Sequence, residues 1–271
     1  MTRLLQDQGL TGRNSHYSLV MAFWSPNETH PRRRLLAGVG PDPVTVSFAA
    51  AALAGALLFF GLQGLLFAKA PPYALAVGLA AYAVGAVAAS WALWRSYPHS
   101  VLGHCNIVTL IRLVLVAVLA VPTLSDVGAS WTVLSLGSLA LALDGIDGWL
   151  ARRAGLVSGF GARFDMEVDS ALALVLALAA YKGGGAPVAV LVLGLARYAF
   201  WGASLGLPWL RATLPERVGR KAVCVLQIAV LIALHLPILP VPLSGPLVLV
   251  ATLALLWSFG RDVLWLWRAR P

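Results

Sequence analysis

The chain has 271 residues, is 59% hydrophobic and has a mean hydropathy of +0.82. That apolar share exceeds what a soluble domain can bury, so composition points to a polytopic membrane protein. The formal charge of +9 then reports orientation and affinity for anionic lipid head groups rather than nucleic-acid binding.

Residues 1–43 read as a polar tail with Arg3, Arg13 and the run Arg32-Arg33-Arg34. Its apolar patch at 17–24 is too short to span and lacks a signal-peptide layout. Met21 is an alternative start, and Asn27-Glu28-Thr29 reads as a chance acceptor match on a cytoplasmic tail. Two Ala- and Leu-rich spans follow, at 44–68 and 72–94, broken by Pro71-Pro72. Neither carries a charge in its core, and their Ala and Gly content suits packing helices. On this reading both are dispensable for chemistry.

A third span, 106 to about 125, opens on Asn106, Thr109 and Arg112. Asn106 could cap the helix, whereas Arg112 lies too deep to snorkel easily. Spans at 131–152, 161–181 and 186–205 come next, the last carrying Arg197. A polar segment at 208–221 holds Arg211, Arg217, Arg220 and Lys221. A span at 222–239, a Pro-rich turn at 240–246 and a final span to about 265 complete eight. The fold expected is an all-α membrane bundle. Its two cysteines, Cys105 and Cys224, read as small apolar residues.

The stretch from Asp144 to Asp169 carries the chemistry. On a helix, Asp144, Asp147, Gly148, Ala151 and Arg152 share one face. Gly161, Asp165 and Asp169 share one face of the next helix, across a linker containing Gly155, Ser158 and Gly159. Two antiparallel helices would then turn four carboxylates into one space, with Arg152 as the arginine among them. Such a cluster needs cations to stay ionised. Oxygen ligands without His or Cys suit Mg²⁺, Mn²⁺ or Ca²⁺.

This stretch resembles the signature of the CDP-alcohol phosphatidyltransferase family, Asp-x2-Asp-Gly-x2-Ala-Arg-x8-Gly-x3-Asp-x3-Asp, at all its specified positions. Asn106-x2-Thr109-x2-Arg112 resembles the opening of that family's first conserved helix. The resemblance implies a six-helix domain over 104–271, preceded by the tail and by two extra helices at 44–95. It implies transfer of a phosphatidyl group from a CDP-linked lipid such as CDP-diacylglycerol to a small alcohol, releasing CMP, in phospholipid biosynthesis. It further implies two Mg²⁺ or Mn²⁺ ions on Asp144, Asp147, Asp165 and Asp169, with Asp169 also the general base. Nucleotide and phosphate contacts fall to Asn106, Thr109, Arg112, Gly148, Ala151, Arg152 and Gly161, and a homodimer is implied.

The acceptor stays open between glycerol 3-phosphate and serine. Arg163, Arg197, Arg211 and Lys221 are the basic residues available to bind it. Leu195-Ala196-Arg197-Tyr198 resembles part of a serine-using pattern, with Ala199 departing from it. Lys221 and Gln227 resemble part of a glycerol-phosphate-using one, with Arg220, Val223 and Cys224 departing. A transporter or ion pathway with an acidic cation site is the competing class; it predicts mid-membrane polar groups and an internal repeat, and no repeat is visible. With the tail in the cytoplasm, nearly all Lys and Arg between spans lie inside, and only Lys69 and Lys182 lie outside. Both termini and the aspartates are then cytoplasmic, in an inner or cell membrane of bacterial type.

Overall fold

The computed structural model describes residues 42–125, 130–212, 214, 218–268 and 270. Residues 1–41 of the polar tail, with its possible second start and acceptor tripeptide, lie outside them. The described residues form eight α-helices and no strand: α1 Pro43–Leu66, α2 Pro72–Ser96, α3 His104–Leu124, α4 Trp131–Ala154, α5 Gly159–Lys182, α6 Val190–Gly206, α7 Val218–Ala233 and α8 Val241–Arg268. A 3-10 turn, Pro208–Arg211, precedes α7.

Local chemistry sets most boundaries. The Asp42 side chain accepts from the Val44 N–H, and Pro43 takes the first helical position of α1, where no N–H partner is needed. Pro72 starts α2 in the same way. Ser130 caps α4 by accepting from the Val133 N–H at 3.2 Å. Gly155 ends α4 at φ 65°, a left-handed conformation that favours glycine. Ser158 caps α5 through the Gly161 N–H at 3.0 Å. The α4–α5 connection is therefore only four residues, Gly155 to Ser158, and the two helices run antiparallel.

Three spans differ in their bounds from the sequence reading, α6 by starting at Val190 rather than 186. α7 runs from Val218 to Ala233 rather than over 222–239. Its start is drawn toward α8, where Arg220 meets Asp262, and Pro237 disfavours helix in the residues just before it. α8 begins at Val241, so most of the expected Pro-rich turn is helical. Pro242 falls in the first turn, and Pro246 forfeits a single backbone hydrogen bond near the helix start.

Five helices, α1 to α4 and α8, are long and apolar enough to cross a membrane. α5 has the length but carries Arg163, Asp165, Glu167 and Asp169 in its first half. α6 and α7 have 17 and 16 residues, about 25 Å at 1.5 Å per residue, somewhat short of a bilayer core of roughly 30 Å.

α3 is the axis of the bundle. Of its apolar window 72% is buried, against 22–28% for the other four spans. α4 and α5 pack on one side of it, and α1 and α2 cover another. The two N-terminal helices are thus bound into the core rather than appended. Phe48 of α1 meets Phe160 and Phe164 of α5 at ring separations of 6.3 and 6.1 Å, and Gln63 of α1 donates to the Val118 carbonyl of α3 at 3.2 Å.

α6 closes on α5 at Gly194. A Cβ there would stand 2.8 Å from the Ala177 Cβ and 3.0 Å from the Leu174 Cα. Backbone cannot yield as a flexible side chain would, so Gly194→Ala is expected to destabilise the protein by about 1–3 kcal/mol. Thermal unfolding in detergent measures this, and an unchanged midpoint would refute the close packing of α5 on α6.

Candidate active site

Three helices meet at one end of the bundle: the N-terminal parts of α3 and α5 and the C-terminal part of α4. α4 presents Asp144 and Asp147, one turn apart, and α5 presents Asp165 and Asp169. Arg112 of α3 reaches between them. Its side chain is fully buried and pairs with all four. One terminal nitrogen donates to Asp147 Oδ2 at 2.9 Å and to Asp165. The other donates to Asp169 and lies 3.5 Å from Asp144 Oδ1. Thr109, one turn before Arg112, places its hydroxyl 3.0 Å from Asp147 Oδ2 and 3.0 Å from the Cys105 carbonyl, to which its single proton can be given in turn.

The arginine among the carboxylates is therefore Arg112, not Arg152. Arg152 is exposed near the end of α4 and lies alongside Gly148, where a Cβ would stand 3.3 Å from a guanidinium nitrogen. Ala151, also on α4, is half-buried. The aspartate side chains grade from Asp147, 5% exposed, through Asp144 and Asp169 to Asp165 at 34%. The cluster is thus deep at Asp147 and open at Asp165.

Four carboxylates against one guanidinium leave an excess of negative charge in a largely desolvated space. Asp144, Asp147 and Asp165 each offer an oxygen within 4.8 Å of the others. A hard divalent cation fits such an all-oxygen donor set, so these residues could hold a metal.

Asn106 is not a helix cap. Gly103 holds that position, and Asn106 is buried in the first turn of α3, donating to the Tyr97 hydroxyl at 3.1 Å. A Cβ at Gly161 would stand 3.5 Å from Asn106 Oδ1, so these two residues face each other one turn outward from the aspartates.

The basic residues scatter. Arg163 folds back onto its own helix, donating to the Gly159 carbonyl at 3.1 Å. Arg197 of α6 pairs with Glu167 of α5. Lys221 is exposed near the start of α7, and the Arg211 side chain lies outside the described residues. Arg220 forms a two-point pair with Asp262 of α8, at 2.8 and 3.1 Å. α7 packs on α4 and α5, the two helices that carry the aspartates. Sequence reasoning singled out Arg112 by its depth in the span but missed its contacts with the aspartates, and it missed the Arg220–Asp262 pair.

The fold and this site define a class: an integral membrane helical bundle with a carboxylate cluster, competent for divalent metal, at one end. The family model for CDP-alcohol phosphatidyltransferase matches residues 102–259, more than half of the chain. The chain belongs to that family of membrane transferases. No curated protein and no solved structure matches it.

Proposed function

We propose that this protein transfers a phosphatidyl group from CDP-diacylglycerol, or a closely similar CDP-linked lipid, to the hydroxyl of a small alcohol or phospho-alcohol, releasing CMP, as a step of phospholipid biosynthesis. The observation that carries this is the convergence of Asp144, Asp147 and Asp165 inside the matched region. Asp144, Asp147 and Asp165 would be the core ligands of two Mg²⁺ or Mn²⁺ ions, with Asp169 completing the second site. Such ions, when bound, neutralise pyrophosphate oxygens and stabilise CMP as a leaving group.

The chain's own residues do the rest. Asp169 takes the proton from the acceptor hydroxyl as its oxygen bonds to the lipid-side phosphorus and the bond to CMP breaks. Gly148 lets the nucleotide approach the α4 backbone, and Arg152 offers a two-pronged contact to phosphate. Thr109 and Arg112 hold the aspartates from behind. Arg163, Arg197, Arg211 and Lys221 are the residues proposed to meet the acceptor, with glycerol 3-phosphate and serine the leading acceptors.

Residues 104–271 are the catalytic domain on this reading, and the protein is a homodimer with every helix crossing the membrane. Arg95 over Trp91, Arg153 over Trp149 and Arg270 over Trp267 all sit at C-terminal ends of even-numbered helices or just beyond. Such pairs suit a lipid–water interface on the aspartates' side, in keeping with a cytoplasmic active site.

The test is CMP release from CDP-diacylglycerol by purified protein against a panel of alcohols including glycerol 3-phosphate and serine. Release that depends on one acceptor is expected; no release with any of them, in the presence of Mg²⁺ or Mn²⁺, would overturn the proposal.

A further inference from the structure

Tyr97 lies outside the matched family region, at the C-terminal end of α2. It is 1% exposed, and its ring packs against Phe160 of α5 and His99 at centroid distances of 5.7 and 5.3 Å. Its hydroxyl donates to the Val101 carbonyl at 3.1 Å. A carbonyl can only accept, so it takes the tyrosine's one proton. The tyrosine oxygen then accepts from the Gly103 N–H at 3.4 Å and from Asn106 at 3.1 Å. Only the amide nitrogen of Asn106 can donate, so this network settles which way the amide points. Nδ2 faces Tyr97, and Oδ1 lies 3.5 Å from where a Cβ on Gly161 would stand, so Gly161 itself sets no side chain against that buried oxygen.

We propose that Tyr97 is a positioning residue that orients the Asn106 amide so that its oxygen receives a hydrogen bond from a donor group of the cytidine nucleotide. An amide oxygen only accepts, so on this proposal the group it meets is an N–H or O–H of the nucleoside: the exocyclic amine of the base or a ribose hydroxyl. This rests on the reading that the donor substrate is CDP-linked. It gives α2 a part in substrate recognition.

The experiment measures binding of CMP, UMP and 2′-deoxy-CMP to full-length wild type and Tyr97→Phe by calorimetry in nanodiscs with Mg²⁺. UMP replaces the amine by a carbonyl, and 2′-deoxy-CMP lacks the 2′-hydroxyl. Wild type is expected to prefer CMP over one analogue by about tenfold, the scale of one well-made hydrogen bond. Tyr97→Phe should lose that preference by weakening CMP alone, and the analogue affected identifies the donor group. If Tyr97→Phe weakens all three ligands by a common factor, its role is merely structural and the proposal falls. The proposal also falls if the variant binds CMP as wild type does, or if wild type binds all three equally. Gly161→Ala is the second variant, needed should Tyr97→Phe fail to fold. It keeps the Tyr97–Asn106 bond but sets a methyl beside Oδ1, so the same preference should vanish; a retained preference overturns the proposal. Wild type that binds no CMP would sink the CDP reading itself, a different result from a wild type that binds CMP and a variant that does so equally.

Discussion

Asp169→Asn is expected to lower turnover by roughly 10²–10⁴-fold, the contribution of a well-placed general base. An asparagine of the same size cannot take the acceptor's proton. Asp144, Asp147 and Asp165 remain, and they are the three whose oxygens converge within 4.8 Å. Affinity for the CDP-lipid should therefore change much less than turnover. Asp144→Asn should behave differently, weakening metal and donor together, since it removes a carboxylate charge from the converging set. Excess EDTA should reproduce that second pattern in wild type. Steady-state kinetics with both substrates varied, alongside donor binding, separates the cases. Near-normal turnover of Asp169→Asn at saturating acceptor would assign the base to another residue, and full activity in EDTA would remove the metal from the reading.

Arg112→Ala is expected to destabilise the protein by about 3–5 kcal/mol in EDTA. The guanidinium is fully buried and touches all four aspartates, so its loss leaves desolvated carboxylates facing one another. On the proposed reading divalent cations would bind the folded cluster and not the unfolded chain, so they should restore stability to this variant more than they raise it in wild type. Arg112→Lys should fall between, because an ammonium is a point charge and cannot fork to aspartates on two helices. Thermal unfolding in detergent, with and without Mg²⁺, reads all three directly and needs no turnover. A variant that melts with wild type in EDTA would show that the carboxylates are held apart by the helices alone.

Much of the site was legible in the sequence because it follows from geometry inside single helices. A repeat of 3.6 residues puts Asp144 with Asp147 on one face of α4, and Asp165 with Asp169 on one face of α5. Ser130, Gly155 and Ser158 carry capping and turn chemistry that needs no partner elsewhere, so the antiparallel α4–α5 pair follows from its own residues. Apolar run length marked out the spans in the same local way, and missed the ends of α7 and α8. Those depend on the reach of Arg220 to Asp262, and on prolines placed where lost hydrogen bonds cost little.

What only the tertiary structure decided is which helix faces which. Periodicity gives the face of a helix, but not the neighbour that face meets. Arg112 has the spacing of a residue one turn beyond Thr109, and nothing in that spacing says that it enters the space between α4 and α5. Arg152, beside two aspartates in sequence, turns out exposed, because the end of α4 runs past the cluster. Glu167, out of phase with its neighbours on α5, finds Arg197 on α6. The first two helices, uncharged in their cores and silent as sequence, pack on α3 and bring Tyr97 to Asn106. Each of these contacts joins residues far apart in the chain, so it is set by how the helices pack together, while the sequence alone determined the membrane bundle and its two acidic faces.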